Sequence, residues 1–154
     1  MDIGSKNGYP SAALSNFAPH RFIIDGVECK SMEGFLQSLK FSNPAMQEEV
    51  CKLVGLAAKR RGAQKHWQQD QTLYWKGQPI KRDSQEYQAL LDRAYDALYC
   101  NPGFQAALLA CGKQATFTHS IGKIKQNETV LTRAEFCSRI TKLHARIYQE
   151  REAV

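Results

Sequence analysis

Glu33, Gln37 and Lys40 recur at i, i+4 and i+7 within Ser31-Met32-Glu33-Gly34-Phe35-Leu36-Gln37-Ser38-Leu39-Lys40-Phe41. On a helix that spacing lines up a carboxylate, an amide and an amine. Met32, Phe35, Leu36 and Leu39 form a separate apolar stripe. The remaining face offers only Gly34, Ser38 and Phe41. A solvated face normally scatters its charges, whereas here the only two share one line. A rise of about 1.5 Å per residue separates their Cα atoms by about 10 Å. That is too far for a simple neighbour ion pair, yet both side chains could reach one pocket. The pair suits glycosidic chemistry: a glutamate serves as acid or base, and a desolvated lysine amine adds to a sugar aldehyde. Spacing alone leaves the plainer alternative open, a solvent-exposed Glu–Gln–Lys network.

Several elements must position that helix. Phe22–Ile24 and Val27–Cys29 flank Asp25-Gly26, a two-residue hairpin signal. Ser31 is the expected N-cap of a helix through about Phe41. Asn43-Pro44 opens the next helical region. It is expected to run toward Arg61, with Gly55 as a break and Gly62 at the C′ position. A second hairpin is expected from Thr72–Trp75 and Pro79-Ile80 around Lys76-Gly77-Gln78. Asp83 and Glu86 read as a capping box for a helix with Tyr87, Leu90, Leu91, Ala94, Tyr95 and Leu98 at helical spacing. Asn101-Pro102 starts a helix ending near Gly112. Thr132 and Glu135 form another capping box, followed by Phe136, Ile140, Leu143 and Ile147 on one face. Residues 116–131 read as an ordered loop. The expectation is a predominantly helical α+β fold, with one or two short β-hairpins, in a single compact domain over residues 1–154.

Composition narrows the function classes. The 154 residues are 43% hydrophobic and 23% charged, an ordinary globular balance. No apolar run approaches the roughly 18 residues that span a bilayer, and the N-terminus lacks the apolar stretch of a secretory signal. Cytoplasmic residence without membrane association is the expectation. Cys29, Cys51, Cys100, Cys111 and Cys137 are odd in number and include no C-x-x-C pair. They suggest neither disulfides nor zinc, and no metal or cofactor is expected. A net charge of +6 and a pI near 9.1 favour an anionic partner. Lys59, Arg60, Arg61, Lys65 and His66 cluster. They fit either charge compensation at a helix C-terminus or a phosphate contact zone. Trp67 and Trp75 would serve that zone as stacking platforms, unless they pack a core. Neither a phosphate loop nor a G-x-S-x-G nucleophile elbow is present.

Leu14-Ser15-Asn16-Phe17, Asp25-Gly26, Ser31-Met32-Glu33, Gln37 and Lys40-Phe41 resemble the opening block of the NADAR, or YbiA-like, family. Its pattern is L-S-N-F, a short strand pair, then S-x-E-x-x-x-Q-x-x-K-F. Ala58-Lys59 through Gly62 to Trp67 resembles the next block. The resemblance implies a YbiA-like domain with N-glycosidase activity. The implied reaction removes ADP-ribose from guanine in DNA or another nucleic acid. The alternatives are cleavage of a ribosylamino-pyrimidine of the riboflavin route, or non-catalytic reading of ADP-ribose or nucleic acid. By resemblance, Glu33 handles protons and binds ribose hydroxyls, and Lys40 lies near the anomeric carbon, where it traps the opened ribose as a Schiff base. Ser15, Asn16, Phe17 and Gln37 hold the substrate, with Lys59 and Trp67 in support. Many members carry an acid and a Trp-Gly element late in the chain. Here Thr118-His119-Ser120-Ile121-Gly122-Lys123 and Glu128-Thr129 stand instead. In this variant branch Glu128 would replace the acid, and His119 and Lys123 would contact the substrate. The implied partner is ADP-ribosylated nucleic acid or an ADP-ribose-like nucleotide.

Overall fold

Both hairpin turns use two successive residues with positive φ, and each closes a two-stranded antiparallel sheet. The computed structural model describes residues 1–153. Asp25 (φ 50°) and Gly26 (φ 80°) join β1 (Phe22–Ile24) to β2 (Val27–Cys29). Lys76 (φ 53°) and Gly77 (φ 83°) join β3 (Thr72–Trp75) to β4 (Gln78–Lys81). The second turn is therefore two residues long, not three, and Gln78 belongs to the strand. Trp75 ties the hairpins together. Its indole N–H donates to Asp25 Oδ2 at 2.8 Å, and its ring meets Phe35 at 5.2 Å, edge to face.

Helices supply the rest: α1 (Ser11–Leu14), α2 (Met32–Ser38), α3 (Pro44–Cys51), α4 (Gly55–Ala63), α5 (Gln85–Tyr99), α6 (Pro102–Ala110) and α7 (Arg133–Glu152). Ser31, Asn43 and Asn101 cap their helices with side-chain oxygens as the sequence implies. Thr132 and Glu135 form the reciprocal capping box. Three boundaries differ from expectation. Ser84, not Asp83, caps α5, accepting from the Tyr87 amide at 3.1 Å. The region after Pro44 does break at Gly55, as expected, where φ is +56° and α4 opens. Gly62 lies inside α4 rather than past its end.

The third difference concerns α2, which stops at Ser38 and leaves Lys40 in the turn that follows. Backbone carbonyls near its end are claimed from outside. Gln47 donates to Ser38 O at 3.0 Å, and the Tyr74 amide donates to Leu39 O at 2.8 Å. The amides of Leu39, Lys40 and Phe41 bond three residues back, to Leu36, Gln37 and Ser38, the tighter pattern of a closing helix turn.

One hydrophobic core joins α2, both hairpins, α5, α6 and α7. Trp67 and Trp75 belong to it at 5% and 6% exposure, so neither ring is open to stack on a base. All five cysteines are free thiols, with Cys29 and Cys51 fully buried. No described helix is long and apolar enough to cross a membrane.

A buried polar network fastens β4 to α7. Arg82 grips Glu135 through two contacts of 2.6 and 3.1 Å, and Gln88 donates to the same carboxylate at 2.6 Å. Arg82 Nε also donates to Thr129 O at 2.8 Å, and the Tyr87 hydroxyl to Val130 O at 2.6 Å. The end of the 116–131 loop is thereby pinned to the core.

Candidate functional site

Four segments meet around Glu33. It sits in the first turn of α2, where its amide donates to Asn16 O at 2.9 Å. That bond ties the 14–17 segment to the helix N-terminus. Gln37, one turn on, donates from Nε2 to Glu33 Oε2 at 3.1 Å. Lys40 reaches back to α4, its Nζ donating to Gly62 O at 3.4 Å. His119, Lys59 and Lys40 all lie near enough to act electrostatically on the Glu33 carboxylate, and Lys123 acts on Lys40.

Burial dominates the electrostatics. Glu33 and Lys40 keep some exposed surface, yet protein surrounds both. Desolvation pushes the Glu33 carboxyl above its ordinary range, against the bond from Gln37 and the charges of Lys59, Lys40 and His119. Desolvation, aided by Lys123, pulls the Lys40 ammonium below its ordinary range, against the attraction of Glu33. Burial therefore shifts each group toward its uncharged form. A neutral carboxyl donates a proton, and a neutral amine attacks carbon.

Gly62 makes this arrangement possible by close approach rather than by a positive φ. A methyl added there would press on Gln37 Oε1 and lie 2.8 Å from Gln37 Cδ. Gln37 is 7% exposed and has little room to move. Gly62→Ala is expected to lose about 1 kcal/mol of stability, because overpacking of about 1–3 kcal/mol outweighs the helix-propensity gain of about 1 kcal/mol. Thermal melting checks this, and a rise in melting temperature would show that Gln37 gives way.

Other sequence-derived candidates fall in different places. Asn16 accepts from the Tyr95 hydroxyl through Oδ1 at 2.7 Å. Ser15 Oγ accepts from the Phe17 amide at 3.2 Å, so it shapes the loop itself. Phe17 packs beside Gly55 and lines a recess of about 360 Å³ with Tyr9, Ala13 and His20; neither Glu33 nor Lys40 lines it. His119 bonds through Nδ1 to Ile3 O at 2.8 Å. A carbonyl can only accept, so Nδ1 is the donor of this bond. Lys59, Lys123 and Glu128 are exposed, and Glu128 ends a single 3₁₀ turn (Gln126–Glu128). Trp67 is in the core, which rules out the surface role considered for it. Tyr95 was not singled out by the sequence. At 1% exposure it reads as one more member of the apolar stripe of α5, and only its hydroxyl contact reveals its link to Asn16.

Comparison with known proteins gives three matches. Residues 8–145 match the family described as Bacteriophage protein GP30.3. A protein of Enterobacteria phage T4, described as an uncharacterized 17.1 kDa protein in the Gp30-rIII intergenic region, is 40% identical over 139 residues. That alignment covers 88% of this chain and 91% of the relative. The NMR structure of the E. coli protein YbiA superposes with a TM-score of 0.60 at 17% identity, covering 98% of this chain and 86% of that one. At that identity the likeness is one of fold, and it is the fold the sequence implied.

Proposed function

The chain belongs to the Bacteriophage protein GP30.3 family and has the YbiA-like fold, and on that footing we propose that it is an N-glycosidase that removes ADP-ribose from a nucleobase, guanine in nucleic acid being the preferred target. One observation carries the reading: Glu33, held by Gln37, and Lys40, held against Gly62, act on each other in one desolvated setting that raises the proton affinity of the carboxyl and lowers that of the amine. Open solvent produces neither shift.

The chemistry follows from those two groups. Glu33 donates its proton to the ribose ring oxygen as the C1″–O bond opens, and the base nitrogen lone pair forms an iminium. The Lys40 amine adds to C1″, placing two nitrogens on that carbon. A proton passes from the lysine nitrogen to the base nitrogen, and the C1″–base bond breaks. The base leaves, and Lys40 keeps the sugar as an imine. Water then adds to C1″, the sugar aldehyde leaves, and the surplus proton returns to the Glu33 carboxylate, restoring both the amine and the acid. Asn16, held by Tyr95, offers its amide N–H groups to an acceptor oxygen on the substrate, because its Oδ1 is already engaged.

Incubation with DNA carrying ADP-ribosylated guanine is expected to release free ADP-ribose. Borohydride added during turnover is expected to fix the sugar to Lys40, read by mass spectrometry. Rapid release with no adduct, or with an adduct elsewhere, sinks the imine. Tight binding with no release sinks the enzyme and leaves a reader of the modification.

A further inference from the structure

Cations are distributed unevenly along this chain. Residues 51–69 hold Lys52, Lys59, Arg60, Arg61 and Lys65 and no acid; residues 113–127 hold Lys113, Lys123 and Lys125 and no acid. Outside these segments acids outnumber lysines and arginines, so the net charge of +6 originates in the two of them. Both segments reach the candidate site, Lys59 beside Glu33 and Lys123 beside Lys40. Positive potential on two sides of one site draws a polyanion more strongly than a single nucleotide.

The second segment carries an independent feature. Ile121 and Ile124 are 74% and 73% exposed, yet the backbone around them is firmly held. The Arg133 side chain donates to Gly122 O and to Ser120 O, and its amide donates to Lys123 O at 2.9 Å. Ser120 donates to the Asp2 carboxylate from its amide at 2.8 Å and from its hydroxyl at 2.7 Å. The Gly122 amide bonds to His119 O at 3.0 Å. A loop stitched this closely, holding two branched apolar side chains out in water, is built as a contact surface. Lys123 lies between the isoleucines and Lys125 follows them. Apolar wedges flanked by cations are how many proteins part stacked bases.

We infer that the 119–125 loop engages a nucleic-acid strand, with Ile121 and Ile124 packing against the bases beside the target nucleotide. Lys123, Lys125 and the exposed Lys59 and Arg60 of α4 hold the phosphates. The inference rests on the N-glycosidase reading for the identity of the target base, and narrows the substrate to a polymer rather than a free riboside.

The test titrates the full chain into an unmodified single-stranded oligonucleotide and its duplex, each with a fluorescent purine analogue that brightens on unstacking, at several salt concentrations. The wild-type chain binds, brightens the analogue and weakens with salt. Lys123→Ala with Lys125→Ala lowers the salt slope by about two. Ile121→Ser with Ile124→Ser, at unchanged melting temperature, binds roughly tenfold more weakly and leaves the analogue dark. Unchanged affinity and brightness in the isoleucine variant overturn the wedge. So does a wild-type dimer that dissolves in that variant while oligonucleotide binding persists, which would assign the isoleucines to a second copy. A wild-type chain that binds neither oligonucleotide overturns the surface, even if it cleaves a free ADP-ribosylated nucleoside. Binding and brightening without ADP-ribose release keep the surface and sink the glycosidase reading instead.

Discussion

Glu33→Gln is expected to cut ADP-ribose release by roughly a thousandfold while leaving the chain folded. Glutamine has nearly the same volume, and its side-chain oxygen can still accept from Gln37, the bond now made at 3.1 Å. What it lacks, on the proposed mechanism, is an acidic proton to give to the ribose ring oxygen. Stability should move the other way. Burial raises the folded Glu33 carboxyl above its unfolded value, so its contribution to stability is fully present below the ordinary carboxylate range. That contribution is lost as pH rises through the folded value. At neutral pH the wild type therefore carries a cost that the variant does not. The variant should melt at or above the wild-type temperature at pH 7, with the gap closing toward pH 4. A variant that melts lower at pH 7 would show that Glu33 is a structural ion, and residual turnover near wild type would falsify its catalytic role.

The second large effect is structural. Arg82→Met should cost about 3–5 kcal/mol, because it leaves the Glu135 carboxylate buried without its partner. The side chains of this pair are 1% and 10% exposed, so solvent screens them little. Burial by itself would raise the Glu135 carboxyl, but the bonds from Arg82, Gln88 and the Thr132 amide outweigh it and hold the group below its ordinary range. Stability from this group is present above the unfolded carboxylate value and lost as pH falls through the folded one. The wild type should lose this support in acid, and Arg82→Met should lose it already at pH 7. For a chain of this size the melting temperature would drop by about 10 °C. Adding Glu135→Leu should recover most of the loss. A single variant that melts within about 2 °C of wild type would mean that water already solvates the pair.

Much of this fold is written in local chemistry. Asp25-Gly26 announces a hairpin because few residue pairs accept two positive φ values in succession. Asn43-Pro44, Asn101-Pro102 and Thr132 with Glu135 mark helix starts because each supplies an oxygen to otherwise unpaired amides. What the sequence hides is decided by distant partners. Nothing near Ser38 says that Gln47 and Tyr74 will take the carbonyls at the end of α2, so the helix reads two or three residues too long. Trp67 looks like a platform beside a basic cluster until the core closes over it. Gly62 reads as a stop signal, whereas its function is to admit Gln37. The Glu33–Lys40 pairing was legible as a spacing, but its electrostatic character was not, because desolvation depends on α4 and the 118–123 segment arriving from elsewhere in the chain.

The loop from His119 to Lys123 is secured by main-chain atoms, by the ring of His119, and by the side chains of Asp2, Ser120 and Arg133. Ile121, Lys123 and Ile124 contribute no side chain to that stitching. The loop's fold therefore does not depend on these three side chains, while Gln37 is packed against Gly62 on a helix with little spare room. The apolar face of this loop can thus vary at Ile121 and Ile124 without disturbing Glu33 or Lys40, whereas a change at Lys123 also alters the electrostatics of Lys40.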